Sequence, residues 1–127
     1  MLDTIRHNQL VDTVFARAPV VPVITIEHLG DALPLCRALA DNGLPVLEVT
    51  LRTACALDAI ALLVRELPQA CVGAGTVLNA RDLDAVSKAG AAFAISPGVT
   101  DTLYNAAKDC ATPLIPGIAT AGELMRG

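Results

Sequence analysis

Leu47-Glu48-Val49-Thr50-Leu51-Arg52 sets a carboxylate and a guanidinium into an otherwise apolar, β-rich run, and the rest of the chain is organised around it. In an extended strand alternate side chains share a face. Val46, Glu48, Thr50 and Arg52 therefore point one way, while Leu47, Val49 and Leu51 make the other face purely apolar. At roughly 3.3 Å of rise per residue, Glu48 and Arg52 are expected about 13 Å apart, the acid deeper and the arginine near the C-terminal end. An arginine in that place takes a carboxylate or phosphate in bidentate fashion. Apolar neighbours disfavour the charged form of Glu48, which raises its pKa and suits it to proton transfer. The plainer alternative is a strand-end ion pair with partners elsewhere.

Outward from this strand the chain alternates strand and helix. Residues 2–18 carry Ile5, Leu10, Val14 and Phe15 at imperfect helical spacing before Pro19, which predicts an amphipathic leading helix. A short β-branched strand is expected over residues 20–25. A helix follows with Leu29, Leu33, Cys36, Leu39 and Ala40 on its stripe, weakened by Pro34 and ended by Asn42-Gly43. The strand over residues 45–51 leads into a helix with Thr53 as expected N-cap, apolar Ala56, Ile60, Leu63 and Val64, and Pro68 as the stop. Next come a strand over residues 70–74 and a helix from N-cap Asn79, with Leu83 and Val86 buried and Gly90 at its C-terminal cap. A strand over residues 92–96, a helix over residues 100–110 and a fifth strand over residues 113–116 complete the pattern.

Strand starts near residues 20, 45, 70, 92 and 113 recur every 21 to 25 residues or so, the spacing of minimal βα units. Two architectures accommodate them: an open doubly wound sheet, or part of an eight-stranded (β/α) barrel, for which about 250 residues are typical. Polar and glycine-rich residues fall repeatedly after strands: Thr50 and Arg52, Gly73-Ala74-Gly75-Thr76, Ser96-Pro97-Gly98, and Pro116-Gly117-Ile118. In a barrel all these ends converge on one mouth, which favours the α/β barrel. The glycines read either as tight βα turns or as room for a ligand above the sheet. Gly73-x-Gly75 lacks the third glycine of a dinucleotide-binding fingerprint.

Composition agrees with a single domain over residues 1–127: a leading helix over 1–18, then βα units over 19–127. The 127 residues are 54% hydrophobic and 17% charged, the excess expected of a parallel sheet covered on both faces. Charges such as Arg37, Asp41, Asp58, Arg65 and Asp84 break every candidate membrane span, and MLDTIRHNQL has no signal-peptide character. A net charge of −4 with scattered basic residues argues against nucleic acid. Cys36, Cys55, Cys71 and Cys110 have no C-x-x-C spacing and read as small core residues, fitting a reducing cytoplasm. Ser96, His28 and His7 form no evident hydrolytic partnership, and no His/Asp/Glu cluster with metal-ligand spacing is evident.

PVVPVI, VLEVTLRT, VGAGTVLN, FAISPG and PLIPGIAT, in this order from about Pro19 to the end, resemble the 2-keto-3-deoxy-6-phosphogluconate (KDPG) and 4-hydroxy-2-oxoglutarate aldolase family. The resemblance implies a class I aldolase on a (β/α)8 TIM barrel, about five of whose eight units are present here. It implies a homotrimer that splits a phosphorylated 2-keto-3-deoxy acid into pyruvate and glyceraldehyde 3-phosphate through a lysine Schiff base, with no metal or other cofactor. By the same resemblance Glu48 is the general acid/base, and Arg52, Thr76 and Pro97 hold the pyruvate moiety. An aldol cleavage needs a proton shuttle, an electron sink and a carboxylate anchor, and Glu48 and Arg52 suit the first and third.

The electron sink is the exception. The family's lysine lies on the sixth strand, whereas Lys88 and Lys108, the two lysines here, fall near the C-terminal ends of expected helices. Thr120-x-x-Glu123 is a capping box that leaves residues 121–127 for its helix, so that helix is expected to be truncated. The 127-residue chain is therefore expected to be inactive alone and, with two open sheet edges, to self-associate. The rival expectation is a non-catalytic half-barrel assembly or scaffold module.

Overall fold

The computed structural model describes residues 4–126. Five strands, β1 (Val23–Ile24), β2 (Val46–Thr50), β3 (Cys71–Gly75), β4 (Ala94–Ser96) and β5 (Leu114–Pro116), form one sheet in the order β1-β2-β3-β4-β5. Every neighbouring pair is parallel. Spatial order that follows chain order leaves no switch point where the winding reverses, so the sheet is an arc of a barrel. Right-handed crossovers then put the connecting helices α2 (Leu29–Asp41), α3 (Ala56–Glu66), α4 (Ala80–Lys88) and α5 (Asp101–Lys108) outside that arc. Among the described residues no helix is long and apolar enough to cross a membrane.

Strand alternation divides the core in two. Leu47, Val49, Val72, Ala74, Ala94 and Leu114 face outward and pack with Ala32, Cys36, Ile60, Leu63, Leu83, Val86 and Leu103 of the helix layer. Val46, Cys71 and Phe93 face inward, where Val14 of α1 (Thr4–Phe15) and Ala18 pack against them. All five residues of β2 are buried, because this strand has helices on one side and the arc's interior on the other.

Several boundaries shift for identifiable reasons. Leu2 and Asp3 of the expected leading helix lie outside the described residues, and α1 ends at Phe15, ahead of Pro19. The first strand shrinks to two residues, since Pro19 and Pro22 have no N–H for a ladder; the Pro22 carbonyl still accepts from the Glu48 N–H at 3.0 Å. Pro34 is tolerated inside α2, where the carbonyl deprived of a donor belongs to exposed Gly30 in the first turn. Thr53 does not cap α3: its hydroxyl donates to the Ile26 carbonyl at 2.6 Å, and Cys55 becomes the N-cap. The Cys55 thiol, half-buried rather than in the core, donates to the same carbonyl at 3.2 Å. Cys110 is half-buried too, while Cys36 and Cys71 are core residues, and all four are free.

Asn79 caps α4 as expected, accepting from Asp82 N–H at 2.9 Å, and Thr100, expected as the first helical residue, is instead the N-cap of α5, accepting from Leu103 N–H at 3.2 Å. The capping box also forms at α6 (Ala121–Arg126), where Thr120 Oγ1 accepts from Glu123 N–H and Glu123 Oε2 accepts from Thr120 N–H.

β1 and β5 are the edges of the arc. The Pro113 carbonyl bonds to Ala94 of β4, so ladder alternation turns the Leu114 carbonyl to the open edge, where His7 Nε2 donates to it at 3.1 Å. Ile5, Leu10, Phe15, Leu124 and Met125 are exposed apolar side chains of α1 and α6. Open edges beside exposed apolar surface are expected to make the chain self-associate. Light scattering at tens of micromolar is the check, and a sharp monomer peak is the result that contradicts it.

Candidate active site at the C-terminal ends of the strands

The register of β2 on β3 sets Glu48 opposite Gly73 and Thr50 opposite Gly75. Glu48 faces the interior and is 8% exposed, its carboxyl group occupying the place a Cβ on Gly75 would take. A Cβ on Gly73 would likewise clash with the ring of Phe93. Both glycines lie inside β3: Gly73 falls in the strand expected over residues 70–74, and Gly75, expected after it, is the strand's last residue. Their missing side chains are filled by protein, one by an aromatic ring and the other by the carboxyl group itself.

Burial pushes the Glu48 pKa above the ordinary carboxylate value, and the nearby Arg52 guanidinium partly opposes the shift. The strand ends at Thr50 rather than Leu51, so the straight 13 Å run to Arg52 does not exist; the chain turns first. Leu51 donates its N–H to the Gly75 carbonyl at 2.9 Å and packs on the helix-side core. Arg52 instead reaches across the mouth, Nε donating to Thr76 Oγ1 at 3.2 Å. The inward and outward faces expected for this stretch therefore hold.

Pro97, exposed, follows β4, the strand beyond β3. Its carbonyl lies where a Cβ on Gly117 would be, the Gly117 N–H donates to the Ser96 carbonyl at 2.7 Å, and Ser96 Oγ donates to the Gly98 carbonyl at 2.7 Å. The turns after β4 and β5 are thus locked together, and the Ser96 hydroxyl is committed to one of them. Glu48, Arg52 and Thr76 form one group; Pro97 stands one strand further along the rim.

Sequence reading placed Thr50 on the inward face but missed Thr25, its hydroxyl partner. Thr50, fully buried, donates to the Ile24 carbonyl at 3.1 Å, and Thr25 Oγ1 lies 3.0 Å from Thr50 Oγ1. Val23 is registered on Glu48, so Thr25 falls opposite Thr50; the signal for the pair was β1 register, which spacing along one strand does not give.

Glu48 yields a pH prediction. An acid whose folded pKa is raised binds more protons folded than unfolded, so stability falls as pH rises from the unfolded carboxylate value through the folded one. Glu48→Gln is expected to be more stable than the parent above that window and to lose this part of the slope. Chemical denaturation at a series of pH values checks it; equal stability of the two proteins at pH 7 is the contrary result.

Parallel βα units in barrel order, with a buried carboxyl group behind an arginine at the strands' C-terminal ends, define part of a (β/α)8-barrel protein with an acid and a guanidinium at its mouth. Residues 11–127 match the family model for KDPG and KHG aldolase. The chain belongs to that family. It is 53% identical over 116 residues to the KHG/KDPG aldolase of Escherichia coli K12, covering 91% of this chain and 54% of that protein. The 2-dehydro-3-deoxy-phosphogluconate aldolase of Dickeya dadantii matches with the same identity and coverage. Among solved structures, the Legionella pneumophila KDPG aldolase, with pyruvate captured as a covalent carbinolamine intermediate, superposes with a TM-score of 0.86 at 51% identity, covering 89% of this chain and 55% of that one. The Zymomonas mobilis enzyme with 3-phosphoglycerate gives a TM-score of 0.86 at 50% identity, covering 91% and 55%. The chain spans about half the length of the curated relatives it matches.

Proposed function

We propose that this chain carries the proton-shuttle and carboxylate-anchor half of a class I aldolase site, for cleavage of 2-keto-3-deoxy-6-phosphogluconate to pyruvate and glyceraldehyde 3-phosphate. The observation that carries the reading is Glu48, buried behind Arg52 and Thr76 at one end of the strands. Pyruvate held covalently in the Legionella relative supports it by analogy. In such a cleavage an amine condenses with the C2 ketone, a base takes the C4 hydroxyl proton, and the C3–C4 bonding electrons move into the iminium to leave an enamine. A carboxyl group with a raised pKa suits taking that proton and returning one to C3. Arg52 keeps its terminal guanidinium nitrogens for the substrate carboxylate, while Thr76 and Pro97 border the same mouth. The amine comes from outside this chain, since both of its lysines lie on outer helices. That last observation also favours the rival reading, a half-barrel assembly module without activity of its own.

Pyruvate titration distinguishes the two. The chain is expected to bind pyruvate at millimolar strength and Arg52→Ala to weaken it at least tenfold, the effect of a lost charge-assisted hydrogen bond. Undiminished binding by Arg52→Ala is the result that removes the anchor, and no binding by the parent chain favours the assembly module.

A further inference from the structure

We propose that Thr76 is a positioning residue, held in a left-handed backbone conformation so that its hydroxyl fixes the direction of the Arg52 guanidinium; this rests on the reading of Arg52 as a carboxylate anchor. Thr76, with φ 59°, is the one non-glycine residue with positive φ among the described residues. For a β-branched side chain that conformation is a genuine outlier, kept only where the surroundings over-determine it. They do so on both sides. The Gly75 carbonyl is held by the Leu51 N–H at 2.9 Å, and the Val77 N–H is held by the Ile95 carbonyl at 3.1 Å, with the Val77 side chain fully buried.

The geometric consequence follows from strand alternation. Ala74 faces the helix layer and Gly75 the interior, so a regular strand would send the next side chain back toward the helices. The left-handed turn redirects it, and Thr76 Oγ1 meets Arg52 Nε at 3.2 Å. With Nε engaged, the two terminal nitrogens remain as the pair of donors that a carboxylate takes in parallel. Glycine would adopt this backbone without strain, yet it has no hydroxyl to give. The position therefore opposes stability to anion binding, which an ordinary structural residue does not.

Four variants of the full chain test this: Thr76→Gly, Thr76→Val, Thr76→Ser and Arg52→Ala, the last assigning the Arg52 Nε–Hε resonance by its loss. Thr76→Gly is expected to melt a few degrees above the parent and to bind pyruvate about tenfold more weakly. Thr76→Val, equally strained, is expected to melt near the parent, move the Nε–Hε resonance and show the same loss of affinity. Thr76→Ser, which keeps the acceptor, is expected to restore both the resonance and the affinity. Thr76→Gly melting at or below the parent overturns the strain, and an unmoved resonance in Thr76→Val overturns the positioning role. Failure of the parent to bind pyruvate defeats only the anchor reading, because melting and resonance still decide the role of Thr76.

Discussion

Incubated with pyruvate and borohydride, the 127-residue chain is expected to gain no mass, and no aldol cleavage is expected above background. A primary amine forms an imine only as the neutral base, and enzymes obtain that form near pH 7 by desolvating it. Neither lysine is so placed. The Lys88 side chain is 75% exposed and paired with Asp84 at 2.6 Å on the outer face of α4. Lys108, on α5, bonds to Asn105 at 3.3 Å and sits 5.4 Å from the Tyr104 ring centroid. Both helices are separated from Glu48 by the sheet, outside the hydrogen-bond reach that proton transfer demands. Intact-mass spectrometry reads the result directly. Pyruvate trapped on Lys88 or Lys108, and lost in Glu48→Gln, would mean that the amine has been found in an unexpected place.

Gly73→Ala is expected to produce the largest loss of stability of any single methyl addition in the sheet. The new Cβ clashes with the Phe93 ring, and Phe93 is fully buried against the inner-face cluster of Val14, Ala18, Val46 and Cys71. A ring so enclosed has no vacant space to enter, so either the ring or the strand must shift. Overpacking of this kind costs about 1–3 kcal/mol, which lowers the melting temperature of a chain this size by about 3–15 °C. Gly75→Ala meets the end of a flexible side chain instead. It is expected to be milder in stability while driving the Glu48 carboxyl group from its place. Thermal denaturation of the two variants checks the ranking, and a Gly73→Ala protein melting within a degree of the parent refutes it.

The sequence was most informative where one residue's chemistry determines local structure. Asn79 and the Thr120–Glu123 pair cap the helices that their side chains suggest, because a cap depends on the next three residues only. The inward face of Glu48 followed from alternation, and the raised pKa from its apolar neighbours. What stayed hidden depends on a second strand. Gly73 and Gly75 look like turn residues until β4 brings Phe93 to one and β2 brings Glu48 to the other. Thr53 looks like an N-cap until the Ile26 carbonyl, twenty-seven residues earlier, accepts the hydrogen bond of its hydroxyl. The resemblance named Arg52 and Thr76 together, but spacing along the chain gives no sign of the left-handed turn that makes them touch.

Tyr104 is the single tyrosine, and the chain has no tryptophan. Its hydroxyl donates to the Arg126 carbonyl at 3.0 Å, joining α5 to the end of α6, and the Arg126 guanidinium lies 6.0 Å from the centre of its ring. Near-ultraviolet emission from this protein therefore originates at one place, the seam between the last two helices. Anything that lifts α6 away alters the surroundings of that one fluorophore. An observer recording tyrosine fluorescence therefore watches the docking of one helix end on its neighbour.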